Sequence, residues 1–149
     1  MKKASNLEGW NSDKYILMKD VENCCCNFYL HVAKLFYAIA YIDGQIRKEE
    51  EEALKLALKN EWLKKYQGKT EVVDEILQNF YVLKREKKNA QESFYEFVQY
   101  MKHHEKLFNI PMRNTLWEVS CSIADVVNKK NKSELILLVH LGKQLGIMK

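Results

Sequence analysis

One stretch limits the fold more than any other: Tyr29 to Leu63, YLHVAKLFYAIAYIDGQIRKEEEEALKLALKNEWL. Cys25, Phe28, Val32, Leu35, Phe36 and Ile39 recur at steps of three and four, the helical period, and predict a helix over 23–42. Ala33, Ala38 and Ala40 lie between them and let neighbouring helices approach closely. Gly44 ends this helix, because glycine takes the left-handed conformation without a Cβ penalty. Ile46 then folds back as an apolar anchor. A second helix is predicted from Arg47–Lys48 to about Trp62, burying Leu54, Ala57, Leu58 and Trp62. Glu49 to Glu52 fall in its first turn, where negative charge complements the exposed amides and the helix dipole. Glu50 stands where its side chain can reach back to the capping amide.

The remaining chain reads the same way. One proline and five glycines in 149 residues favour long helices over a sheet with its many turns. A chain of this length makes one domain, 1–149, with a polar and loose lead-in over 1–12. Asn11, Ser12 or Asp13 caps a short helix carrying Tyr15, Ile16 and Leu17. A turn around Gly68 leads to Thr70, the cap of a helix with Val72, Val73, Ile76, Leu77 and Phe80 inside. Lys84 to Asn89 is a charged connector, and a helix over 90–107 buries Phe94, Phe97, Val98 and Met101. Asn109-Ile110-Pro111 opens the next helix, since proline suits a first turn; its inner face is Leu116, Val119, Ile123 and Val126 or Val127. After a corner at Asn128–Lys132, Asn131 or Ser133 caps the last helix, with Glu134 at capping-box spacing from Asn131. Ile136 or Leu137, then Leu138, Leu141 and Leu145, face inward, and Gly146-Ile147 forms a glycine cap. The fold class is all-α, a compact bundle of about six or seven helices.

The two ends of the chain echo each other. With Glu50 laid on Glu134, Ile39-Ala40 falls on Ile123-Ala124 and Leu54 on Leu138. Gly44 falls on Asn128, a residue tolerant of positive φ, and Asp43 on Val127, so the acid of the first corner is not repeated in the second. Such an echo predicts two weakly repeated helical hairpins packed face to face. The segment AIAYIDGQIRKEEEEAL, Ala38 to Leu54, resembles the tellurite-resistance TerB-like family, in which an Ala-x-x-x-Asp-Gly-x-Ile helix end precedes an acidic helix start. The resemblance implies a compact all-α domain, cytosolic and bacterial, linked to stress or tellurite response and found beside other modules. It further implies a metal site at Asp43, Glu49 and Glu50. Arg47-Lys48 departs from the family, where the cap position is often acidic or Asp-Pro.

Asp43 to Glu50 also fits the second half of a calcium-binding EF-hand loop, with the glycine and final glutamate in place. The first and third ligand positions would be Ile39 and Tyr41, useless to a cation that takes about six to eight oxygens, so a true EF-hand is excluded. Cys24-Cys25-Cys26 has no Cys-x-x-Cys pair, and adjacent helical side chains diverge too far to bridge. His103-His104 points two ways from a helix end, and His31 and His140 stand alone. No serine elbow or phosphate-binding glycine loop is present, so no enzyme activity is expected.

Net charge is +4, with 24 basic and 20 acidic residues dispersed along the chain, which does not suggest nucleic acid. No segment is apolar enough to span a membrane, and the basic start lacks an apolar run behind it; the protein is expected to be cytoplasmic with reduced cysteines. These features predict a non-enzymatic protein-interaction module that presents the acidic corner Asp43, Gly44, Glu49 and Glu50 to another protein. The alternatives are a divalent-metal-binding stress protein, with no other cofactor, and a toxin-neutralising immunity protein.

Overall fold

The computed structural model describes residues 25–65, 70–125 and 132–148, with side chains from Asn27 onward. The short helix expected over 13–17, the cysteine cluster, the Gly68 turn, Val126, Val127 and the Asn128–Asn131 corner lie outside the described residues. Those described form six α-helices and no strand: α1 (Cys25–Tyr41), α2 (Lys48–Ala57), α3 (Thr70–Glu86), α4 (Ala90–His103), α5 (Ile110–Asp125) and α6 (Lys132–Gln144).

Helix α1 is the axis. From Leu35 to Ala40 every side chain is buried, as are Phe28, Val32 and Ala33. A helix apolar on most of its circumference belongs at the centre of a bundle, and α1, polar only along Asn27, His31 and Lys34, packs on α3, α4 and α5, with smaller contacts to α6 and α2. The alanines make this possible by letting neighbours approach the faces that the large side chains leave. Phe28, Phe36, Tyr37, Phe80, Phe97 and Phe108 fill the middle.

Gly44 turns the chain out of α1 with φ +94°, and its N–H donates to the Tyr41 carbonyl at 2.8 Å. Ile42 and Ile46, on either side, pack against the core. Arg47 caps α2 in extended geometry, and its N–H donates to Glu50 Oε1 at 2.8 Å. This is one arm of a capping box; arginine has no side-chain oxygen to supply the other. Past Ala57 the helix widens into a π-helical stretch, Leu58–Leu63, that buries Leu58 and Trp62.

Two boundaries differ from the sequence expectation. Lys84 and Arg85 belong to α3 rather than to a connector, because both are good helix formers and their charge suits a C-terminus. Helix α4 stops at His103, and a 3₁₀ turn, Glu105–Leu107, leads to α5. Asn89 caps α4 by accepting from the Glu92 N–H at 2.8 Å, and Asn109 caps α5 by accepting from the Met112 N–H at 3.0 Å. At the end of α6, Gly146 (φ +78°) and Ile147 close a double-bonded glycine cap on the Lys143 and Gly142 carbonyls. Leu137 rather than Ile136 faces inward.

Candidate functional site

The corner expected to carry function splits into an outer and an inner part. Gly44 and Glu49 are exposed, and Glu50 is buried at 1% exposure. Consecutive residues in the first turn of a helix point about 100° apart, so Glu49 and Glu50 do not face one ligand. Glu51 is taken up by an ion pair with Lys84 of α3, and Glu52 is exposed. Asp43 is half-buried; its Oδ1 accepts from the Gln45 N–H at 3.3 Å, and its Oδ2 pairs with Arg47 Nη1 at 3.2 Å.

What the corner does bring together is Glu50 and Glu134, with the charge of Asp43 near enough for Glu50 to feel it. Glu134 is fully buried on the first turn of α6, and the Glu50 carboxyl meets it across the seam between the two hairpins. Glu50 Oε1 is held by the Arg47 amide. Among the described residues Glu50 Oε2 meets no hydrogen-bond donor while both carboxyls are ionised; a proton on either one turns the contact into a hydrogen bond. Burial pushes the Glu50 carboxyl up to about 7, and Glu134 and then Asp43 push the same way against the Arg47 amide. Two carboxyls in one dry place do not ionise together. The raised Glu50 pKa fits a proton held between the two carboxyls.

Glu134 is the site residue that the sequence analysis missed, although the internal echo paired it with Glu50. Asp43 has no acidic counterpart at Val127, but position 134 keeps the glutamate of position 50, buried like its counterpart. The other matched positions, Ile39, Ala40, Ile123, Ala124, Leu54 and Leu138, are all buried.

The histidines stand elsewhere. His103 and His104 are exposed at the end of α4, each with Nδ1 against the carbonyl four residues back. The rings of His31 and His104 stack on opposite sides of the Tyr100 ring, at 4.1 and 4.0 Å. Burial lowers the His31 pKa, and Lys34 and His104 lower it further against the pull of the Asn27 carbonyl and Glu96. His140 lies on the outer side of α6. Among the described residues no group of three or more His, Cys, Asp and Glu side chains is gathered ready for a metal ion. No described helix is long and apolar enough to cross a membrane. Set against known proteins, the chain matches no family, no curated protein and no solved structure.

Proposed function

We propose that this chain is a non-enzymatic binding module of the bacterial stress or defence kind that the TerB resemblance implies, and that the ligand at its acidic seam is a divalent cation. The observation that carries this reading is the buried meeting of Glu50 and Glu134, with the charge of Asp43 felt at Glu50. A divalent ion replaces the proton between the two carboxylates, which supply the hard oxygen donors that Ca²⁺ or Mg²⁺ takes. Asp43 joins them by giving up Arg47, an exchange of one cation for another. Glu49, on the outside, is not a ligand in this reading.

Calorimetry with Ca²⁺, Mg²⁺, Mn²⁺ and Zn²⁺ tests it. The expected result is saturable heat and a higher melting temperature, both stronger at pH 8 than at pH 6 because the proton competes, and both absent in Glu134→Gln. No saturable heat with any of the four ions ends the cation reading.

A second reading, docking of another protein on the outer part of the corner, is favoured by the exposure of Glu49 and Glu52 on the first turn of α2. Its test is Glu49→Lys with Glu52→Lys. Glu50 is left alone because it is interior, and Glu51 because it holds Lys84. The double variant is expected to fold normally and to lose a partner that wild type retains on a column; a partner held equally by both moves the interface elsewhere.

A further inference from the structure

We propose that a groove between the end of α1, α4 and α6 docks an acidic amphipathic helix of a partner protein. The surface is separate from the acidic seam, and the proposal does not depend on a cation there.

The groove encloses about 320 Å³, with Ile42, Phe94 and Leu137 as apolar lining and Ile136 and His140 along the α6 side. Helix α6 has already buried one face through Glu134, Leu137, Leu138 and Leu141. Its outer face nonetheless carries Leu135, Ile136 and Val139, exposed by 45%, 51% and 41%. Ile136 lines the groove itself, and Val139 and Leu135 carry the apolar surface on from it around α6, which makes a contiguous patch of the kind that marks a contact surface. A concave strip of this kind suits a helix presenting anchors at i and i+4 better than it suits a flat surface.

Charge selects the partner. A second recess, of about 390 Å³, shares Ile42 and Gln91 with the first, so the two run together; Lys87 and Lys88 line its other side. Lys87 has φ +53° and is the only non-glycine residue with positive φ among those described. It occupies the position after α3 where glycine is the ordinary choice, and its N–H and that of Lys88 bond back to the Lys84 and Leu83 carbonyls. The turn leaves the Lys87 side chain exposed beside the recess, where its charge is open to a partner. The turn is also fixed in place: the buried Tyr37 hydroxyl donates to the Lys88 carbonyl at 2.7 Å, and Asn89 begins α4. Lys88 lies 3.6 Å from Glu86 in an exposed pair, which leaves it open to exchange. Apolar anchors in the groove and carboxylates against the two lysines define the occupant.

The test uses the whole chain and a phage-displayed library of amphipathic helices of ~16 residues, about four turns, with apolar positions fixed and the others random. Enriched sequences are expected to carry Asp or Glu towards one end. A peptide made from them, followed by fluorescence anisotropy, is expected to bind roughly tenfold or more weakly to Ile136→Glu and to Lys87→Glu with Lys88→Glu, losses on the scale of a hot-spot side chain. Lys87→Gly separates charge from structure: it is expected to melt higher than wild type and still to bind more weakly. Neutral or basic enriched sequences, the absence of saturable binding, or unchanged affinity in either charge variant would overturn the proposal. So would tight binding to phosphatidylserine vesicles that the enriched peptide does not compete away, which would assign the lysines to a membrane surface.

Discussion

Position 50 carries two duties with one carboxyl group. One oxygen closes the first turn of α2 on the Arg47 amide; the other is turned to Glu134. The first duty was legible in the sequence because a capping box is a local spacing. The second was not, because it depends on where α6 lands, and only the faint internal echo carried that information. Gly44 was legible for the same local reason. Its φ of +94° is strained for any residue with a Cβ, and an added methyl would meet nothing within 4 Å. Gly44→Ala is therefore expected to cost about 1–2 kcal/mol through backbone strain alone, measured by urea denaturation, with no change in the cooperativity of unfolding.

Among the elements, α1 departs most from a simple amphipathic pattern. The step of three and four identified its large side chains, yet the structure buries the residues between them as well. Periodicity describes a helix with one wet face; in α1 that face is narrow, Asn27, His31 and Lys34, so its central place was not readable from the period. Phe36→Ala is expected to cost about 3–5 kcal/mol, the range for a fully buried aromatic, and to lower the denaturation midpoint more than any surface change. The α3–α4 connection is three residues shorter than its run of charge suggests, because lysine and arginine are content in a last turn. The cap that follows is simpler to check. Asn89→Ala is expected to cost about 1 kcal/mol by the same denaturation measurement, since the Glu92 amide then loses its acceptor.

On the scale of the whole molecule, the first turns of α2 and α6 are joined through a pair of buried acids. Folding raises the Glu50 pKa from 4.5 to about 7, so the folded state holds its proton more tightly than the unfolded chain does. The stability this gives is complete below pH 4.5 and is lost as pH rises to about 7, a fall of roughly 3 kcal/mol at most. His31 acts in the other direction, since its lowered pKa makes the folded state favour the neutral ring; that contribution is present above pH 6.5 and lost as pH falls. A comparison of two variants that share His31 removes it from the difference.

The most direct measurement is thus the stability of wild type and Glu134→Gln by urea denaturation from pH 5 to pH 8, with a chelator present. Glutamine keeps the shape and can donate to Glu50 Oε2, so the two proteins are expected to be close at pH 5, with Glu134→Gln the more stable by about 1–3 kcal/mol at pH 8. A difference that does not change with pH, or a Glu134→Gln protein less stable than wild type at pH 8, would contradict a shared-proton seam between the two hairpins.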